Sequence, residues 1–147
     1  MQILPSSVLF CCTMNEVRSP MAEGIMKRFH GSRIFVDSAG AFQGKLDPFM
    51  VEVMNEIGVD MSRHKPKTFK NLTDDSFDFV ISLSGEAKHF ADEMTKYMSC
   101  ESRFWNISDP TAVEGTRETR LGAYRQARDE IQRKILELFP VTDHLAF

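Results

Sequence analysis

The chain has 147 residues, 42% of them hydrophobic and 27% charged, and a formal net charge of −3. That composition suits one buried core, so a single domain over residues 1–147 is expected. It offers no electrostatic footprint for nucleic acid and no run of the roughly 18 apolar residues that a membrane span needs. The opening Met1-Gln2-Ile3-Leu4-Pro5-Ser6-Ser7 has no basic segment, so no secretory signal is expected. Three cysteines are an odd count, which favours free thiols in a reducing cytoplasm over a disulfide framework.

The first element is the apolar run Val8-Leu9-Phe10-Cys11, read as a short buried strand. The segment Met21–Phe29 reads as a helix with Pro20 near its first turn. Ile34-Phe35-Val36 reads as a second strand, ended by Asp37-Ser38-Ala39-Gly40. From Asp47 to Ile57 apolar residues recur at helical spacing, and Gly58 stops the helix. A third strand is predicted over Phe77–Leu83, then a helix over Ser84–Tyr97 with Ser84 as its N-cap and Glu86 in its first turn. Arg103–Ile107 is expected to be a fourth strand. The last helix, about Thr116 to Phe139, carries the stripe Leu121, Tyr124, Ala127, Ile131, Ile135 and Leu138. Strand–helix alternation of this kind predicts an α/β fold, a parallel sheet with helices on both faces.

The chemistry concentrates where the first strand meets the first helix. There Cys12-Thr13-Met14-Asn15-Glu16-Val17-Arg18 forms a loop, followed by Ser19-Pro20. Backbone N–H groups at a helix start lack partners, and the helix dipole favours negative charge there. Such a setting favours a thiolate, and an arginine closing the loop offers a planar fork for two oxygens of a phosphate. Cys12 is therefore the expected nucleophile and Arg18 the expected clamp, with Thr13, Met14, Asn15, Glu16 and Val17 lining the cradle. Ser19 is expected to cap the helix, a role compatible with a hydroxyl donated to Cys12. Asn15 is expected to brace the loop through its amide. Side chains alternate along a strand, so Cys11 should face the core, and Cys100 reads as structural. Asp109, fixed in an extended conformation before Pro110, is the expected general acid and base. The scattered His30, His64, His89 and His144 form no ligand cluster, so no metal and no cofactor are expected.

The run from Val8 to Glu23 resembles the signature of the low molecular weight protein tyrosine phosphatases. The likeness extends to Asp37-Ser38-Ala39-Gly40, to Gly58-Val59-Asp60-Met61-Ser62-Arg63-His64 and to Asp109-Pro110. The resemblance implies a four-stranded parallel sheet and a two-step hydrolysis of phosphotyrosine or aryl phosphates through a phosphocysteine. It further implies Ser38 and His64 as supports of the loop and Phe49 as a wall for the substrate ring. The chain departs from the pattern in four places. Met14 stands where the family has glycine, and Glu16 adds a carboxylate to the loop. Val17 stands where a second cysteine is frequent, and Thr111-Ala112 follow Asp109-Pro110 in place of aromatic residues. Two other readings remain. One is a thioredoxin-coupled arsenate reductase, which requires relay cysteines that Leu83–His89 lacks. The other is a catalytically weak phosphoprotein-binding module. The expected partner is a phosphorylated protein or small aryl phosphate, and the expected state a monomer or weak dimer.

Overall fold

The apolar run near the start of the chain becomes the centre of the sheet. In the computed structural model, which describes residues 4–73 and 76–141, β1 covers Ser7–Cys12, and Val8 through Cys12 are all buried. A parallel strand covered on both faces needs apolar side chains in both directions, so this run does not alternate with polar residues. β2 (Phe35–Gly40) and β3 (Phe79–Ser82) flank β1, and β4 (Glu101–Phe104) forms the far edge. All pairs are parallel, in the order β2-β1-β3-β4. The chain leaves β1 toward β2 on one side and returns to β3 on the other. The carboxyl ends of β1 and β3 therefore bracket the crevice in which open α/β sheets bind ligands.

Alternation along β1 sorts its two cysteines. Val8, Phe10 and Cys12 pack with α1 (Arg18–His30), α2 (Pro48–Asn55) and α4 (Arg117–Leu138) on one face. Leu9 and Cys11 pack with Ala87 and Ala91 of α3 (Gly85–Thr95) on the other. This is the predicted four-stranded parallel α/β fold with helices on both faces. Three helices start where a side-chain oxygen accepts from the first turn: Asp47 from Phe49 and Met50, Ser84 from Ala87, and Thr116 from Thr119. Gly58, at φ +77°, ends the turn after α2 in the left-handed region.

Several boundaries differ from the sequence reading. Asp37–Gly40 belongs to β2 instead of ending it, in register with Leu9–Cys12. β3 is trimmed to four residues, and β4 starts at Glu101 and stops at Phe104. Trp105 and Ile107 lie beyond β4, their apolar side chains used for packing: Trp105 faces Phe10 at 6.2 Å between ring centroids, and Ile107 is buried. Of the histidines, His30 is buried with Nε2 2.8 Å from the carbonyl of Phe139, and His144 lies outside the described residues. Among the described residues no group of three or more histidine, cysteine or acidic side chains could hold a metal ion. No described helix is long and apolar enough to cross a membrane.

Candidate active site

β1 ends at Cys12 and α1 begins at Arg18, and the loop between them wraps a cavity of about 60 Å³. Cys12, Thr13, Met14, Glu16, Val17, Arg18, Asp109 and Thr111 line it. The loop carbonyls are taken up behind the cavity: Thr13 accepts from Phe42 N at 2.9 Å, and Asn15 faces Nε2 of His64 at 2.9 Å. The backbone N–H groups of Met14, Glu16 and Val17 donate to no described group. Unpaired peptide donors at a helix start form an anion cradle.

Asn15 holds the loop in shape. Its φ is +56°, and among the described residues it alone outside glycine has a positive φ. Asparagine tolerates that region better than most side chains. Its buried amide donates to Ser19 Oγ (2.8 Å) and Ser38 Oγ (2.9 Å), and its Oδ1 accepts from Lys67 N (3.0 Å). Ser38 Oγ in turn donates to Glu23. Met14 is outside the left-handed region, so the methionine carries no backbone strain. Two glycines let the loop pass close: a Cβ on Gly40 would lie 2.7 Å from Asn15 N, and one on Gly44 would lie 2.4 Å from Met14 O.

Ser19 is not the helix cap. Val17 holds the N-cap position without a side-chain bond, and Ser19 sits inside the first turn with its hydroxyl toward the sulfur. Cys12 Sγ lies 2.9 Å from Ser19 Oγ and 3.4 Å from Ser19 N. Arg18 is buried, and its Nη1 donates to Ile107 O (3.0 Å) and contacts Leu83 O at 3.5 Å. These carbonyls aim the guanidinium so that Nη2 reaches Thr13 Oγ1 (3.5 Å) and Asp109 Oδ2 (3.9 Å). Asp109 is exposed and begins a short 3-10 turn, Pro110–Ala112, as its N-cap. Its Oδ1 accepts from Thr111 N (3.0 Å) and Thr111 Oγ1 (2.7 Å), which leaves Oδ2 toward the cavity side.

Thr13 and Glu16 point to the rim, while Val17 is buried in the core. Thr13 Oγ1 is 2.9 Å from Ser84 Oγ and 3.1 Å from Glu86 Oε1. Glu16 is held sideways, its Oε2 accepting from Lys45 N at 2.6 Å. Phe49 does not line the Cys12 cavity. It lines a neighbouring hollow that shares Glu16, with its ring against Tyr124 (5.5 Å) and under the Arg120 guanidinium (4.7 Å). Tyr124 OH donates to Asp47 Oδ2 at 2.7 Å, and burial first, then that carboxylate, pushes the phenol well above its ordinary range. Sequence reasoning missed Lys67, Glu23 and Thr111 as parts of this assembly. Only the last was visible, through its place after Asp109-Pro110.

The other two thiols are out of reach. Burial, then the neighbouring Cys12, raises the Cys11 thiol well above its ordinary range, and its side chain faces the opposite side of the sheet. Cys100 precedes β4, at the amino end of the sheet level with Ser7. Five residues of strand rise separate that level from Cys12, about 16 Å, whereas a disulfide needs Cα atoms within about 7 Å.

The family model for low molecular weight phosphotyrosine protein phosphatase matches residues 7–145. The chain belongs to that family. Among its relatives, an arsenate reductase of Halalkalibacterium halodurans is 36% identical over 129 residues, 87% of this chain and 91% of the relative. An arsenate reductase of Bacillus subtilis is 32% identical, covering 88% and 92%. Among solved structures, an arsenate reductase in its phosphate-binding state superposes with a TM-score of 0.75 at 28% identity, covering 90% of this chain and 95% of that one. Vibrio vulnificus Wzb in complex with benzylphosphonate shares the fold, with a TM-score of 0.69 at 18% identity, covering 90% and 98%. The family uses cysteine-based catalysis and is described as one of phosphatases, while the relatives named above are arsenate reductases.

Proposed function

We propose that this protein is a cysteine-dependent phosphomonoesterase that hydrolyses phosphotyrosine or other aryl phosphates. The reading rests above all on one small cavity that gathers a sulfur, unpaired peptide N–H groups, a buried guanidinium and a carboxylate. In the first step Cys12 Sγ attacks phosphorus, the P–O bond to the leaving group breaks, and Asp109 gives its proton to the departing oxygen. The loop N–H groups and Arg18 hold the equatorial oxygens. In the second step Asp109 takes a proton from water, whose oxygen attacks phosphorus. The S–P bond breaks, free phosphate leaves and the thiolate returns, with Ser19 Oγ beside the departing sulfur. Asn15, Ser38 and His64 keep the loop in this shape. The rim beyond Asp109 is formed by Thr111, so the ring of the leaving group rests against less apolar surface than an aromatic side chain would give.

The test compares p-nitrophenyl phosphate, phosphotyrosine peptides and phosphoserine peptides. Wild-type protein is expected to turn over the first two. Cys12→Ser is expected to lose turnover by at least about 10⁴-fold, as removal of a nucleophile does, while still binding inorganic phosphate. Undiminished turnover by Cys12→Ser overturns the reading.

A second reading, arsenate reduction, is favoured by the names of the relatives. The same cradle suits any tetrahedral oxyanion. The absence of a thiol within reach of Cys12 means that reduction would draw on an external thiol. Arsenate-dependent oxidation of NADPH with thioredoxin or glutathione–glutaredoxin systems discriminates the two readings.

A further inference from the structure

On the far side of Asn15 from the Cys12 cavity lies a second, much larger pocket of about 890 Å³, formed between α1 and the segment 58–71. Its size falls in the range of small-molecule sites, roughly 300–1,000 Å³. Its charge runs against that of the whole chain, which is −3. Lys27, Arg28, Arg63, Lys65 and Lys67 line it, against only Glu23 and Asp60. Both carboxylates are already engaged: Glu23 by Lys27 and Ser38, and Asp60 by the backbone N–H of Ser62 at 2.9 Å. Arg28 and Lys65 have no ion-pair partner among the described residues, and Arg63 has only the longer-range attraction of Asp60. Lys27 is paired with Glu23 and Lys67 with Asp37 at 2.5 Å, so the uncompensated charge sits on Arg28, Lys65 and Arg63. Cations gathered at one concave site repel one another, and a bound anion relieves that repulsion. The floor is apolar where Met61 and Val59 crowd against Gly24, whose missing side chain leaves them room.

We infer that this pocket is a second anion site, built for the clustered phosphates of a nucleoside di- or triphosphate or of a free polyphosphate. A single orthophosphate would leave most of its volume unfilled, whereas a chain of phosphates brings enough charge to meet Arg28, Arg63 and Lys65 together. The inner wall of the pocket includes His64, Lys67 and Glu23, the residues that support Asn15 directly or through Ser38. The site is thus the outer surface of the support of the catalytic loop, and its ligand bears on that loop from behind.

The experiment titrates tripolyphosphate and, separately, ADP into the whole protein by calorimetry, in excess inorganic phosphate to occupy the Cys12 cavity. The comparison is an Arg63→Glu/Lys65→Glu double variant, both positions being exposed and outside the catalytic loop. One-to-one saturable binding is expected, weakened by roughly tenfold or more in the double variant, as loss of charge-assisted contacts predicts. Basal phosphatase turnover should stay unchanged. ADP binding tighter than tripolyphosphate assigns a nucleotide, and the reverse order assigns free polyphosphate. No saturable binding at millimolar concentration overturns the inference, as does equal binding by wild type and variant, which would place the ligand elsewhere. Should the double variant melt early, Arg28→Ala and ligand-induced shifts of the His64 and Lys67 amides carry the same decision. The binding readouts do not depend on the Cys12 chemistry, so failure here leaves the proposed activity standing.

Discussion

Asp109 shows how one side chain is positioned by its neighbours without being buried by them. Thr111 takes one carboxylate oxygen with two hydrogen bonds, and Arg18 stands 3.9 Å from the other. A general acid contributes most when the leaving group is a poor one. Asp109→Asn is therefore expected to slow phenyl phosphate turnover by about 10²–10³-fold and p-nitrophenyl phosphate turnover by less, and to flatten the pH profile of kcat. A plot of rate against leaving-group pKa for both proteins checks this, and parallel plots would remove the acid role. At this scale the sequence was most legible where partners are close in the chain. Cys12, Asn15 and Arg18 lie in one loop, and the helix-start argument locates them together. Ser19 was misread because serine is a common N-cap. Here Val17 occupies the cap, and the turn presents Ser19 to the sulfur. Lys67 and Glu23 were invisible because they reach Asn15 or Ser38 across long stretches of chain, which no local pattern encodes.

The elements that frame the site depend on a few junctions, of which the start of α2 is the clearest. Asp47 accepts from two backbone N–H groups of α2 and from the buried Tyr124 hydroxyl of α4. Asp47→Ala loses a cap, worth about 1 kcal/mol, and leaves that hydroxyl unpaired, at about 1–3 kcal/mol. A destabilisation of about 2–3 kcal/mol is expected in denaturant titration, with Asp47→Asn much milder because its amide oxygen still caps. Element type was readable throughout from period and caps: the α4 stripe from Leu121 to Ile135 is buried as its spacing demands. Boundaries at the sheet edges were not. β4 is exposed at every position, so its sequence lacks the burial signal of β1, while the apolar Trp105 and Ile107 beyond it mark packing and not ladder. The turn-like Asp37-Ser38-Ala39-Gly40 continues β2 because Ser38 braces Asn15, and Gly40 lets the loop backbone pass.

Across the whole molecule, α2 and α4 are tied on the face that covers β1. Glu56, at the end of α2, accepts from Arg125 and from Arg128, which also donates to Val53 O. Those guanidinium hydrogen bonds lower its carboxyl from 4.5 to about 2. A carboxyl depressed on folding stabilises the fold above its unfolded pKa and loses that contribution as pH falls through the folded value. Wild type is therefore expected to melt higher than Glu56→Gln at neutral pH. The gap should close between about pH 4.5 and about pH 2, as a series of thermal melts would show. Isolation of the Cys12 sulfur has a chemical consequence of its own. Peroxide converts a thiolate to a sulfenic acid, which in many proteins is parked as a disulfide with a nearby thiol. Cys11 faces away across the sheet, Cys100 stands at its other end, and Val17 offers no sulfur. Once oxidised, Cys12 has no internal refuge. Without a small-molecule thiol to intercept it, it should proceed to the sulfinic acid, and mass spectrometry of the peptide after graded peroxide should find two added oxygens and no cross-link.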